Sequence, residues 1–165
     1  MMNDEIRKND QVRMTNYSLS TPRADSESWE DAFWGVRSKS IGSEFHDENA
    51  ERKVYDLEER TAHFGEAAIR FAKKIPQNPV NNRLISQLVG AATSVGANYC
   101  EADDGVSKSD FKHKISTCKK EARETKFFLR MVATSEPGLK SEARVLWQEA
   151  KELHLIFCAI WRRTQ

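Results

Sequence analysis

The amino-acid sequence predicts an all-α fold, an antiparallel up-down-up-down four-helix bundle preceded by a largely disordered N-terminal arm. Two observations lead to this prediction. Residues 54–165 contain four long segments in which apolar side chains recur in steps of three and four, as on one face of a helix. Residues 1–53 are polar and show no sustained period, so they cannot bury enough apolar area to order themselves. Short connections between the four segments favour antiparallel neighbours.

The composition limits the class of protein. The chain has 165 residues, enough for one domain with a real core, and its net charge of +1 gives no global field that would commit it to nucleic acid or to an anionic membrane. The charge is unevenly distributed, because residues 1–53 hold 8 Lys/Arg and 11 Asp/Glu while residues 54–165 hold 18 and 14. An acidic arm therefore precedes a mildly basic body.

The cysteine pattern and the hydropathy predict the compartment. There are three cysteines, an odd number without a C-x-x-C pair, which argues for a reducing compartment. The N-terminus lacks the apolar core of a secretory signal. The longest weakly polar run, Leu84 to Cys100, falls short of the ~20 apolar residues of a membrane span. We therefore expect a cytoplasmic protein that does not associate with membranes.

One aromatic island interrupts the polar arm. In W-E-D-A-F-W-G-V-R, the side chains of Trp29, Phe33 and Trp34 recur at helical spacing and predict one short amphipathic turn. Two interpretations remain open. The island is either an aromatic patch or tail without a role in binding, or a partner-binding motif that folds on docking.

The first bundle helix is predicted from six positions on one face. They are Leu57, Thr61, Phe64, Ala68, Phe71 and Ile75. The helix is expected to stop at Ile75-Pro76 and Asn78-Pro79, because a residue that precedes proline disfavours helical geometry.

The second helix, from about Val80 to Asp103, carries two apolar stripes that lie ~100° apart. So wide an apolar face indicates contact with two neighbours, one of which can belong to another subunit. Glycines inside a helix cost roughly 1 kcal/mol each against alanine, and close helix packing explains them. A buried amide here can fix register and a tyrosine can add ring area. The predicted packing and oligomer seam consists of Gly90, Ala92, Gly96, Asn98 and Tyr99.

The third and fourth helices are delimited by clear boundary signals. Gly105 suits a helix C-terminal cap, and Ser107 with Asp110 resembles a capping box that opens the third helix. The core face of the third helix is predicted to hold Phe111, Ile115, Cys118, Ala122, Thr125, Leu129 and Val132. After the break at Glu136-Pro137-Gly138, the core face of the fourth is predicted to hold Ala143, Trp147, Ala150, His154, Phe157 and Trp161.

A basic ridge on the third helix is the main candidate functional feature. Its members fall largely off the apolar face and are Lys112, Lys119, Lys120, Arg123, Lys126 and Arg130. Such a ridge is either a solvated face or a surface that binds phosphates without regard to sequence.

Catalytic and metal chemistry find little support in the residue pattern. A two-metal bundle site needs paired Glu-x-x-His motifs, and the nearest approach is a single Asp110-Phe111-Lys112-His113. The cysteines and histidines have no zinc-like spacing, and no glycine-rich phosphate loop follows a strand. We expect no cofactor and no catalytic residues. The weaker alternative, a metal-binding bundle enzyme, would use Glu101, Asp103, Asp104 and His113.

Several segments together resemble a known family. The segments are T-S-V-G-A-N-Y-C-E-A from Thr93, S-K-S-D-F-K-H-K-I-S from Ser107, K-E-A-R-E-T from Lys120 and D-L-E-E-R-T from Asp56. They resemble the small bacterial four-helix-bundle proteins encoded by intervening sequences within 23S ribosomal RNA genes, over about residues 55–163. The resemblance implies a homopentamer without established catalytic residues. It extends to the accessory variability determinant of diversity-generating retroelements, whose basic surface binds nucleic acid and a reverse transcriptase.

These observations predict a non-enzymatic, oligomeric adaptor that binds RNA, a ribonucleoprotein or a reverse-transcriptase-like partner through the third helix. A purely structural protein–protein scaffold that uses the Trp29–Trp34 island is the alternative. Two departures from the family pattern speak against nucleic-acid binding. They are the extra acidic arm of about 50 residues and the acids at Asp103-Asp104, where some family members have basic residues.

Overall fold

A computed structural model describes residues 29–35 and 56–164, and within them every regular element is helical. The bundle helices are α1 (Leu57–Ala72), α2 (Pro79–Asp103), α3 (Lys108–Ser135) and α4 (Lys140–Arg163), with a 3-10 turn at Pro137–Leu139. The predicted all-α bundle is confirmed. The prediction of a disordered arm over residues 1–53 falls outside the described residues, apart from 29–35.

The four helices pack in the order of the chain. α1 contacts α2, α2 contacts α3, α3 contacts α4, and a smaller contact between α4 and α1 closes the bundle. The connections are short, residues 73–78, 104–107 and 136–139, so that consecutive helices run antiparallel.

Side-chain caps fix where three of the helices begin. The Asp56 carboxylate accepts from the backbone N–H of Glu59 at 3.1 Å, and Ser107 Oγ accepts from that of Asp110 at 3.1 Å, as predicted for the third helix. Asn78 Oδ1 caps α2 by accepting from two backbone N–H groups. Pro79 therefore stands in the first turn of α2, where its missing N–H costs nothing.

A buried asparagine ties two loops together at one end of the bundle. Asn81 is fully buried, and its Nδ2 donates to the Pro76 carbonyl at 2.8 Å and to Glu136 Oε1 at 2.7 Å. Its Oδ1 accepts from Ser135 Oγ at 2.8 Å. Because its amide hydrogen bonds reach both the α1–α2 and the α3–α4 connections, this side chain joins segments far apart in sequence.

The core follows the predicted apolar faces closely. All six predicted positions of α1 are buried, and in α3 all but the half-buried Phe111 are. In α4 two of the six predicted positions, His154 and Trp161, are only half-buried, whereas Leu153 is fully buried. The reason is that the buried face of α4 is centred on the row that contains Ala150, Leu153 and Phe157, and His154 lies at its edge.

The aromatic island forms a separate short helix, Trp29–Trp34, as its spacing predicts. The Phe33 and Trp34 rings meet edge to face at 4.9 Å between centroids. The helix ends at Gly35, whose φ of 71° is in the left-handed region that glycine adopts without strain. Across residues 29–35 and 56–164, none of the helices has the length and apolar character that crossing a membrane requires.

Candidate nucleic-acid-binding surface

Five of the six predicted basic residues form one row along α3. At 100° per residue, Lys112, Lys119, Arg123, Lys126 and Arg130 fall within an arc of ~60°. We call these five residues the basic stripe. Lys120 projects further round the helix, and its Nζ lies 3.9 Å from Glu121 Oε1.

The basic stripe borders α4, where two tryptophans contact its lysines. Lys119 Nζ lies 4.1 Å from the Trp161 ring centroid, and Lys112 Nζ lies 5.5 Å from the same centroid. Lys126 Nζ lies 4.7 Å from the Trp147 centroid. These distances fit cation–π contacts, which hold the ammonium groups on the surface without neutralising them. Sequence reasoning placed both tryptophans on the core face of α4 and missed the contacts with lysine.

Opposite charges occupy opposite edges of α3. Glu121 and Glu124 line a cavity of about 200 Å³ against α2, away from the basic stripe. Burial raises the pKa of Glu121, and the neighbouring Glu124 carboxylate raises it further. Among the described residues, Lys112, Lys119 and Arg123 form no ion pair with a carboxylate. Among the described residues, the positive charge of these three side chains is therefore not neutralised by a carboxylate.

A pocket of about 520 Å³ lies near the Lys112 end of the basic stripe. It is lined by Gly105, Ser107, Lys108, Phe111, Arg163 and Thr164. At Gly105 an added Cβ would come 2.8 Å from the Ala102 carbonyl oxygen, so close approach explains the glycine. Gly105 directly follows the C-cap residue Asp104, as predicted for a helix end, and its backbone N–H donates to the Ala102 carbonyl at 3.0 Å without positive φ.

The predicted seam residues of α2 occupy different environments. An added Cβ at Gly96 would meet Thr61 Oγ1 of α1 at 3.3 Å, so Gly96 lies at a tight contact between helices. At Gly90 an added Cβ would meet nothing within 4 Å among the described residues. Ala92 is fully buried. The structure therefore brings only part of the predicted seam into the bundle.

The two polar members of the predicted seam, Asn98 and Tyr99, have different neighbours. Asn98 Nδ2 donates to the Ser94 carbonyl of its own helix at 2.8 Å. The Tyr99 ring packs against Phe157 with centroids 5.9 Å apart, and burial raises the pKa of its hydroxyl. Asn98 therefore bonds within α2 rather than across to a second described helix.

The candidate metal residues do not come together. Glu101 forms an ion pair with Lys114, while Asp103, Asp104 and His113 are exposed. In the part of the chain that the structure describes, no three His, Cys, Asp or Glu side chains are placed to hold a metal ion. Glu101 and Asp103, in the last turn of α2, and Asp104, which follows it, are charged side chains exposed at the surface.

The cysteines lie in three different environments. Cys118 is buried, its Sγ lies 3.5 Å from the Val95 carbonyl oxygen, and burial raises its pKa to about 12. Cys158 is half-buried with its Sγ 3.6 Å from His154 Nε2, and Cys100 is exposed.

Comparisons with known proteins agree with this fold. The family model described as 23S rRNA-intervening sequence protein matches residues 54–158. A crystal structure of a protein with unknown function from the S23 ribosomal protein family of Bacteroides thetaiotaomicron aligns with a TM-score of 0.57 at 21% identity. The alignment covers 64% of this chain and 97% of that one, and at this identity it shows a shared fold alone. A search of the curated proteins found no match.

Proposed function

We propose, from the premise that this chain belongs to the 23S rRNA-intervening sequence protein family, that it is a non-enzymatic, oligomeric RNA-binding adaptor. It binds RNA, or the RNA of a ribonucleoprotein, through the basic stripe of α3. The observation that supports this proposal best is the alignment of five cationic side chains on one edge of a helix, with Glu121 and Glu124 at the opposite edge.

The dimensions of the basic stripe suit a polyanion. Lys112 and Arg130 are separated by ~27 Å along the helix, at 1.5 Å per residue. A polyanion that follows this edge meets a cation at nearly every turn. Binding through phosphates releases counterions, so affinity falls steeply with salt and depends little on base sequence.

Assembly into an oligomer would strengthen the weak binding of RNA by a single basic stripe. The family resemblance implies a ring of five subunits, and rotational symmetry would repeat the basic stripe five times. Several weak sites that act on one RNA raise the overall affinity through effective concentration. The groove between α1 and α2, of about 330 Å³ and lined in part by Gly65, Gly96 and Ala97, supports contact with another subunit because its small side chains permit close approach.

Charge reversal of the stripe tests the proposal. The variant Lys119→Glu/Arg123→Glu/Lys126→Glu is compared with Arg70→Glu/Lys73→Glu/Arg83→Glu, which changes the net charge equally near the α1–α2 connection. Binding of a fluorescent RNA is titrated at several salt concentrations, with light scattering and thermal melting as checks on mass and fold. We expect RNA binding to be lost only in the stripe variant, and the wild-type affinity to fall steeply with salt.

Three results would contradict the proposal. A monomeric mass by light scattering would contradict the proposed oligomer and its repeated basic stripe. An RNA affinity that does not change with salt concentration would contradict binding through phosphate contacts. Equal binding by the wild type and a correctly folded stripe variant would leave the basic stripe as a solvated face.

A protein–protein scaffold is the second candidate, and the aromatic helix supports it. Trp29 is 58% exposed, whereas tryptophan is highly buried on average. Deleting residues 1–50 separates the candidates. An RNA adaptor should bind RNA more tightly after deletion, because the acidic arm opposes a polyanion. A scaffold should lose its protein partners in a pull-down while its affinity for RNA stays unchanged.

A further inference from the structure

One end of the basic stripe differs from the rest because it adjoins a concave site. The pocket near Lys112 contains two exposed cations, Lys108 and Arg163, and a half-buried aromatic ring, Phe111. Its volume of about 520 Å³ lies within the range typical of small-ligand pockets. A site that combines cations with an aromatic ring suits a nucleotide, which carries both a phosphate and a base, better than it suits inorganic phosphate.

The half-buried Trp161 does not line the pocket itself, and Lys112 connects the two. Phe111 and Lys112 are consecutive, and the Lys112 Nζ lies 5.5 Å from the Trp161 ring centroid. Lys119 Nζ lies closer, at 4.1 Å, so that two ammonium groups lie over a single indole ring. Phe111 and Trp161 both pack their inner sides against the hydrophobic core, which fixes both rings.

We propose that this end of the basic stripe binds unpaired nucleotides, so that the ligand is single-stranded RNA. The inference rests on the proposed RNA-binding function and specifies its substrate. Lys108 and Arg163 contact phosphates, Phe111 contacts the nucleotide that enters the pocket, and the next base stacks on Trp161. Lys119 moves from the indole ring to a phosphate as the base arrives, exchanging one favourable contact for another.

Duplex RNA does not fit this arrangement. In a duplex, the faces of the bases are stacked on one another, and proteins reach mainly phosphates and 2′-hydroxyls. Phosphates alone could satisfy the basic stripe, but neither ring would gain a base. Unpaired bases expose their faces, and stacking of a base on an aromatic side chain is tolerant of sequence. The pocket end therefore distinguishes single strands from duplexes, although the rest of the stripe does not.

Neutralising the pocket is the first test. Lys108→Gln/Arg163→Gln is compared with Lys73→Gln/Arg83→Gln, which removes the same charge from exposed positions elsewhere. A single-stranded RNA oligonucleotide and a duplex of equal length are titrated at several salt concentrations. For the single strand we expect the slope of the logarithm of the binding constant against the logarithm of the salt concentration to become less steep by about 1.4. This is the loss of two phosphate contacts, each of which contributes about 0.7 to the slope. Duplex binding should change no more than in the control.

The tryptophan is the second test. Trp161→Leu keeps an apolar side chain against the core but removes the stacking face, and thermal melting checks its fold. We expect at least a fivefold or so loss of affinity for the single strand and little change for the duplex. The difference in tryptophan fluorescence between wild type and Trp161→Phe reports on Trp161. The single strand should quench this fluorescence, and the duplex should not.

The outcomes separate this inference from the function on which it rests. If the stripe reversal abolishes binding but single strand and duplex bind equally, and Trp161→Leu has no effect, RNA binding stands and the single-strand inference fails. If neither RNA binds the wild type, the proposed function fails first. Selective loss of single-strand binding in the pocket and Trp161 variants supports both.

Discussion

Arg60 of α1 and Glu149 of α4 form a two-pronged ion pair, with Nε 2.7 Å from Oε1 and Nη2 3.0 Å from Oε2. Arg60 Nη2 also lies 2.8 Å from Glu152 Oε2. The pair is partly buried and joins two helices whose interface is smaller than each of the three between consecutive helices. The hydrogen bond from Arg60 to Glu149 is the main reason that the pKa of Arg60 lies above its usual value.

We expect Arg60 and Glu149 to be energetically coupled. A double-mutant cycle with Arg60→Gln and Glu149→Gln should give a coupling free energy of ~1–2 kcal/mol from urea unfolding, because charge-assisted two-pronged pairs are stronger than simple ones. The exposed pair Glu66–Arg70 on α1 is the control and should give only ~0.3–0.5 kcal/mol. Equal coupling in the two cycles would show that the geometry of the Arg60 pair adds nothing.

Two glycines of α2 should respond in opposite directions. Gly96→Leu places a large side chain against Thr61 and should destabilise the fold by ~1–3 kcal/mol through overpacking. Gly90→Ala adds a methyl group where there is room and should stabilise by up to ~1 kcal/mol through helix propensity. Thermal melting measures both, and light scattering reports on mass. If Gly96→Leu leaves melting temperature and mass unchanged, the seam interpretation is wrong.

The three cysteines should differ in reactivity. Iodoacetamide reacts with thiolates, and the Cys118 thiol, with a pKa of about 12, is protonated at pH 8 as well as buried. We expect mass spectrometry to find Cys100 modified in the native protein and Cys118 modified only in denaturant. Rapid native labelling of Cys118 would show that the contact between α2 and α3 opens readily.

Glu121 should make stability depend on pH. Its pKa is higher in the folded protein than in the unfolded chain, so its contribution is fully present below the unfolded value and is lost as pH rises through the folded value. Glu121→Gln should therefore raise the melting temperature at pH 7, and the difference from wild type should vanish in acid. Glu124→Gln removes the like-charged neighbour and should have a smaller effect in the same direction. A lower melting temperature for Glu121→Gln at pH 7 would contradict this account.

Local signals in the sequence predicted much of the fold. The spacing from Leu57 to Ile75 identified a face that is buried throughout, and Ser107 with Asp110 marked the beginning of α3. These features depend on residues within a few positions of one another. The tie made by Asn81 was missed because its partner Glu136 is 55 residues away, and periodicity identifies a face without naming its neighbour.

The candidate site was predicted only in part, for the same reason. The sequence located the cations of α3, but the pairing of Lys119 with Trp161 depends on the register between two antiparallel helices. A residue pattern within one helix does not contain that register. The error at His154 has a related cause, because a difference of one position at the edge of an apolar face decides between a buried and a half-buried side chain.

The chain-order packing of the bundle also has a consequence for how it folds. Three interfaces join consecutive helices and close short loops, whereas Arg60 and Glu149 are 89 residues apart and must meet across a long loop. The contacts between consecutive helices are local in sequence and favour fast folding. The α1–α4 interface, which needs the long loop, should form after the rate-limiting step. Arg60→Gln should therefore accelerate unfolding and leave the refolding rate nearly unchanged in stopped-flow measurements. Slower refolding would place this ion pair within the folding nucleus instead.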